Sequence, residues 1–125
     1  MSRSLNSAVL LRGEESDDQV AIIELTVPAG WDGPPLHHHA FDEAFYLLDG
    51  ELTFQLGDEL VTAGPGSVTF APRGIHHTLA NLNPATARFL LVCTPAGFER
   101  RFEPSATKPP PEVVIVGPRI GERER

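Results

Sequence analysis

The run EAFYLLDGELTFQLGDELVTAG, residues 43–64, most narrows what this chain can fold into. Apolar and polar residues alternate along it, and turn chemistry breaks it twice, at Asp49-Gly50 and Gly57-Asp58. Such a period of two suits half-buried strands; an amphipathic helix needs apolar residues recurring at three and four. Two runs joined at a DG step and followed by a GD step read as a hairpin meander.

The rest of the chain repeats these signals. SAVLLRG and QVAIIELTV are short β-rich runs separated by the acidic turn EESDD, and PAGWDGPP then breaks the chain with glycine and proline. GSVTFAP, HHTLANL and ARFLLVCT continue at similar spacing, so the expected class is all-β, a sandwich or barrel. PAGFERRFE alone suits a helix, at most one short segment near residues 96–103, with Phe98 and Phe102 four apart on one face. The barrel domain is thus expected over residues 1–103. After it come a proline-rich linker at 104–112, a strand at 113–118 docking on its own or a partner's sheet, and a mobile, mixed-charge tail at 119–125.

Composition excludes several classes of partner. With 41% hydrophobic and 22% charged residues, a chain of 125 residues has the make-up of one folded domain rather than a disordered one. Ten basic against 17 acidic residues give a net charge of −7, which repels phosphate backbones, so no nucleic-acid partner is expected. No apolar run reaches the ~20 residues of a membrane helix, and the start MSRSLNSAVLLRGEESDD is too weakly apolar for a signal peptide, so the expectation is a cytoplasmic protein without a membrane partner. The single cysteine, Cys93, lies in RFLLVCT and reads as a buried core residue. The many apolar strands leave more edge and apolar surface than a lone barrel of this size covers, which predicts a homodimer.

Chemistry concentrates in PPLHHHAFDEAFYLLDG, residues 34–50. The histidine triplet sits between two strand-like segments, unlike a terminal tag. If residues 36–39 are extended, His37 and His39 share one face and His38 takes the other. Glu43 follows after a short bend, and a carboxylate opening an apolar strand is costly to bury unless something compensates it. A divalent ion does so: two neutral imidazoles and a carboxylate suit iron, manganese, nickel, copper or zinc. Downstream, the PRG turn of GPGSVTFAPRGIHHTLAN returns the chain so that His76 and His77 point to opposite faces, and one of the two can add a further ligand.

These two stretches and the strands between them resemble the cupins, small β-barrels that often hold a metal. The second cupin motif is matched in full by Gly66, Pro72, Gly74, His77 and Asn81, which selects His77 over His76. The first is matched at His37, His39, Glu43 and Gly50 and departs at its opening glycine, where Trp31 stands between Gly30 and Gly33. The resemblance covers residues 20–95 and implies a cupin-like jelly-roll β-barrel with one divalent transition metal on His37, His39, Glu43 and His77. A less specific resemblance, through GPPLHHHAFDEAFYLLDGELTF and TPAGFERRF, points to the quercetinase-like single-domain cupins of bacteria.

The implied function is a mononuclear metal-dependent dioxygenase acting on a small, fairly apolar enol or phenolic substrate, with Glu43 as the catalytic base. A zinc-dependent polyketide-type cyclase or isomerase, or a non-catalytic small-ligand-binding cupin, uses the same site. Strand parity turns His38 and His76 to the outside and makes Tyr46 an outer-face residue. Gln55 and Asn81 support the site or serve as strand and turn residues, and Phe41, Phe45, Phe54 and Phe70 are expected in the core or lining a pocket.

Overall fold

The computed structural model describes residues 5–123. Its strands are β1 (Asn6–Leu11), β2 (Ala21–Val27), β3 (His37–His39), β4 (Asp42–Asp49), β5 (Leu52–Leu56), β6 (Glu59–Ala63), β7 (Val68–Ala71), β8 (His77–Ala80), β9 (Ala87–Thr94) and β10 (Val113–Ile115). They form two antiparallel five-stranded sheets, one ordered β1-β2-β9-β4-β7 and the other β10-β3-β8-β5-β6. The result is the jelly-roll barrel that the alternating runs and the cupin resemblance imply.

Parity decides the interior. Ile23, Leu25 and Val27 of β2 meet Phe45 and Leu47 of β4 and Phe89 and Leu91 of β9, with Leu52 and Phe54 of β5 closing the core from the other sheet. Each such side chain, fully buried, contributes about 1.5–3 kcal/mol relative to exposure. Cys93 is fully buried among them, and burial pushes its thiol well above the usual range, so it stays protonated and inert.

Three features differ from the sequence reading. The DG step does not close a hairpin, because β4 and β5 belong to different sheets and the chain crosses between them at Gly50. Gly50 has φ +82°, and a Cβ there would lie 2.7 Å from the Thr86 carbonyl oxygen, so the corner needs glycine for both conformation and space. The GD step does close a hairpin, with Leu56 opposite Glu59. Secondly, Phe70 is 53% exposed: β7 is an edge strand whose inward positions are taken by Thr69 and Ala71, leaving Val68 and Phe70 outside. Thirdly, the tail expected to be solvated from residue 119 lies against the barrel up to 123, with residues 124 and 125 outside the described range. There Ile120 is buried, Arg119 donates to the Gly33 carbonyl, and the 3₁₀ turn Ile120–Glu122 packs on β8.

The helical segment is a five-residue 3₁₀ helix, Phe98–Phe102, joined by three-residue 3₁₀ turns at Gly13–Glu15 and Ile120–Glu122. After the proline-rich stretch, β10 pairs with β3 of the same chain, Val114 opposite His38, so the second sheet is completed from outside residues 1–103. No helix among the described residues is long and apolar enough to cross a membrane.

The loop between β2 and β3 determines where the histidines start. Asn81 donates its backbone N–H to the Trp31 carbonyl and Thr78 its hydroxyl to the Pro34 carbonyl, so the loop runs along β8. Gly33 makes that approach possible: its φ is +74°, and a Cβ would sit 1.7 Å from the Leu79 carbonyl oxygen. Gly33→Ala should therefore lower unfolding free energy by more than about 2 kcal/mol, combining a left-handed backbone penalty with displacement of β8. Gly57→Ala, where a Cβ meets nothing within 4 Å, should cost only the backbone term, about 1 kcal/mol. Urea denaturation of both variants checks the contrast, and equal losses would contradict it.

Candidate metal centre

Two sheets supply the cluster. His37 and His39 face inward from β3, His77 opens β8 directly opposite His37, and Glu43 faces them from β4 across the barrel. One donor atom from each of these four residues lies within 4.8 Å of all the others, and every one of the residues is buried. The bend between His39 and Glu43 aims residues of different sheets at one point: Phe41 is buried and stacks face to face on the His39 ring at 3.7 Å. On the opposite side the PRG turn is tied to β3, with the Gly74 N–H donating to the His39 carbonyl at 2.9 Å. Pro72 and Gly74 thus place His77 rather than His76 inside.

Hydrogen bonding sets the chemistry of the rings. Each inward histidine has Nδ1 beside a backbone carbonyl: His37 at 2.7 Å from Pro35, His39 at 3.0 Å from Phe41, His77 at 3.0 Å from Ile75. A carbonyl only accepts, so each Nδ1 carries a hydrogen, and in its neutral form each ring then turns an Nε2 lone pair inward. Yet the Nε2 atoms of His39 and His77 lie 3.0 and 2.8 Å from Glu43 Oε1, itself an acceptor when ionised. Acceptors that face each other at this distance in a buried site require a proton or a cation between them. Backbone-bonded Nδ1–H groups behind inward Nε2 atoms are also how metal-ligating histidines are held, so the donor set fits a divalent transition metal.

Burial opposes ionisation of Glu43, but the neighbouring His39 and His77 rings, with a positive charge shared between them and the carboxylate, outweigh it and hold the carboxyl below the usual carboxylate range. Burial likewise lowers His37 below the ordinary histidine range, against the Pro35 carbonyl, which favours its protonated form. Both shifts favour the form that binds a cation.

A cavity of about 340 Å³ opens from the cluster between the sheets. His37, Glu43 and His77 border it at one side, and its walls are largely apolar, including Val27, Phe45, Leu79, Phe98 and Phe102. A larger depression of about 500 Å³ lies outside β3, bordered by His38, Arg73 and Glu112, and of the cluster only His39 reaches it. The chemistry therefore belongs to the smaller, interior space.

His38 and His76 lie outside the cluster, stacked on each other at 5.5 Å, and Tyr46 is on the outer face of β4. Asn81 is fully buried but joins loops, its Nδ2 donating to the Pro28 and Ala85 carbonyls, and Gln55 donates to Gly57. Neither has a hydrogen bond to the cluster. Sequence reasoning missed two contributors. Gly33 was visible only as a glycine two residues past the expected position. Glu99 is 1% exposed, its two oxygens accepting from the Gly13 and Gly97 N–H groups, which pins the Phe98–Phe102 helix at the cavity. A glutamate followed directly by two arginines carries no sequence signal of burial.

Comparison with known proteins agrees with this fold. The profile described as Cupin domain matches residues 23–93. Among solved structures, the polyketide cyclase RemF from Streptomyces resistomycificus is similar with a TM-score of 0.70 and 24% identity, over 90% of this chain and 70% of that one. A predicted oxalate decarboxylase from Thermotoga maritima has a TM-score of 0.67 and 27% identity over 72% of this chain and 79% of its own. The EutQ protein of Clostridium difficile has a TM-score of 0.63 and 26% identity over 78% and 67%. Among curated proteins, Endoribonuclease YbeY of Myxococcus xanthus is 30% identical over 81 residues, 65% of this chain but only 27% of that protein's length.

Alanine at His37, His39 or His77 should each sharply reduce the metal content of protein purified without a tag, while His38→Ala and His76→Ala leave it unchanged. Elemental analysis reads this directly. Full occupancy in His77→Ala with loss in His76→Ala would reverse the assignment. The same three variants should lose the rise in melting temperature that added metal gives the parent.

Proposed function

The chain belongs to the cupin family, and from that membership we propose that it is a mononuclear metal-dependent dioxygenase acting on a small, mostly apolar enol or phenol. The observation that carries this reading is the placement of one ionised carboxylate, Glu43, among three inward Nε2 lone pairs at the side of an otherwise apolar cavity. His37, His39, Glu43 and His77 are the residues to hold the ion, and iron, manganese, nickel, copper and zinc all suit this donor set. A bound ion supplies a Lewis acid for an oxygen of the substrate.

The chain's own residues do the rest. Apolar walls exclude water and grip the substrate's hydrocarbon surface. The carbonyls of Pro35, Phe41 and Ile75 fix the three rings, so they keep their orientation when Glu43 moves. Glu43 accepts the enol or phenol proton on a carboxylate oxygen, and the electron-rich anion left behind is the species that dioxygen attacks. The positive charge that must lie between Glu43 and the His39 and His77 rings keeps the carboxylate ionised but also limits its basicity, so proton transfer requires Glu43 to loosen from at least one of them.

The same proton transfer without dioxygen is the chemistry of a cyclase or isomerase, a second reading supported by the position of Glu43 alone. Zinc in the native protein favours it, and a redox-active metal favours the dioxygenase. The expected homodimer and cytoplasmic setting belong to the proposal as well. For the dimer, Tyr46, Val68 and Phe70 form an exposed apolar strip on paired strands β4 and β7, and Val68→Lys should halve the mass seen by light scattering.

Glu43→Gln keeps the size and one oxygen donor while removing charge and basicity. Metal content should fall modestly, whereas turnover of a substrate found by screening enols and phenols should fall by about two to four orders of magnitude. Steady-state kinetics on metal-matched samples measure this. Parental activity in the variant would remove Glu43 as the base and with it the dioxygenase mechanism.

A further inference from the structure

Among the described residues that border the interior cavity, Arg101 is the one charged side chain besides Glu43. It stands on the 3₁₀ helix Phe98–Phe102, three residues after Phe98, and residues three apart eclipse on such a helix. Phe98, Arg101 and Phe102 all border the cavity, and the two phenyl rings meet edge to face at 5.5 Å.

The other charged residues of this helix and its ends are committed to the fold. Glu99 is buried on the Gly13 and Gly97 amides, Arg100 donates to the Pro109 carbonyl at 3.3 Å, and Glu103 is paired with Arg12. Arg101 has no hydrogen-bond or ion-pair partner among the described residues. The helix that carries it is nevertheless pinned by Glu99, so the guanidinium is offered from a fixed base. In a chain of net charge −7, a free cation beside an apolar cavity is a local exception that favours anions.

We propose that Arg101 binds the acidic group of the cavity's ligand, so that the ligand class is a small organic acid: an apolar body with a carboxylate at the end away from the histidine–glutamate cluster. The inference rests on the reading of this cavity as a small-molecule site and adds the charge of the molecule. A planar guanidinium pairs with a carboxylate through two parallel N–H donors, which fixes direction as well as adding affinity. The apolar body then lies against Phe98 and Phe102, with its other end towards His37, Glu43 and His77.

The test uses the metal-loaded protein and matched pairs of probes: benzoate, phenylacetate, 3-phenylpropionate and 4-hydroxycinnamate, each beside its primary amide, which has nearly the same shape without charge. Calorimetric titration should show at least one acid bound about tenfold or more tighter than its amide. Arg101→Gln should reduce that preference to about twofold or less with amide affinity unchanged, and Arg101→Lys should restore part of it. Unchanged amide binding shows that the cavity is intact in the variant. If acids and amides bind equally, or Arg101→Gln retains the preference because the carboxylate sits on the metal, the proposal for Arg101 fails and the cavity remains a ligand site. If no acid or amide binds at all, the small-molecule reading of the cavity fails, and the proposal with it.

Discussion

Acceptors facing acceptors in a buried interior are the constraint on which this structure turns. Three histidines give their N–H groups to backbone carbonyls and turn lone pairs inward, and a buried carboxylate meets two of them within 3.0 Å. Such an arrangement repels itself unless a positive charge lies between the groups, and its members come from both sheets, so whatever supplies the charge also ties the barrel across its middle. The backbone carbonyls behind the rings are therefore as much part of the site as the rings. They fix the tautomer that lets a small β-barrel keep four polar side chains in its interior.

Around that cluster the fold divides its labour by strand parity. Inward positions of β2, β4 and β9 fill the core beside the cavity, while the cluster occupies the inward positions of β3, the start of β8 and one position of β4. The loop that carries Gly33 and the tail that carries Arg119 and Ile120 press on β8 from outside, holding the strand whose first residue is His77. The short 3₁₀ helix at the cavity has little stability of its own. It is positioned by Glu99, a buried carboxylate satisfied by two N–H groups from different loops, and its aromatic and cationic side chains meet the cavity because of that anchor.

Much of the site was legible in the chain because its signals are local. Alternation alone separates His37 and His39 from His38, and Tyr46 from Glu43, since a strand's side chains reverse at each residue. Matching His77, Pro72 and Gly74 to a known spacing then resolved a choice between His76 and His77 that parity left open. The all-β class followed from period-two runs and turn residues for the same reason: both are properties of a few consecutive residues.

Whatever depended on which strand lies beside which was decided by the tertiary structure. The Asp49-Gly50 step has the chemistry of a hairpin, yet it turns a corner between sheets because β7 and β9 occupy the two flanks of β4. Phe70 has the composition of a core residue and the position of a surface one, since its strand lies at an edge and its inward slots hold Thr69 and Ala71. Gly33, Glu99 and Arg101 matter through partners 46, 86 and 58 positions away, namely Leu79, Gly13 and the cavity beside Glu43. The sequence by itself determined the strands, the faces and the donor types, which are set within a few residues; folding decided the corner, the anchor and the charge beside the cavity, because these exist only where distant segments meet.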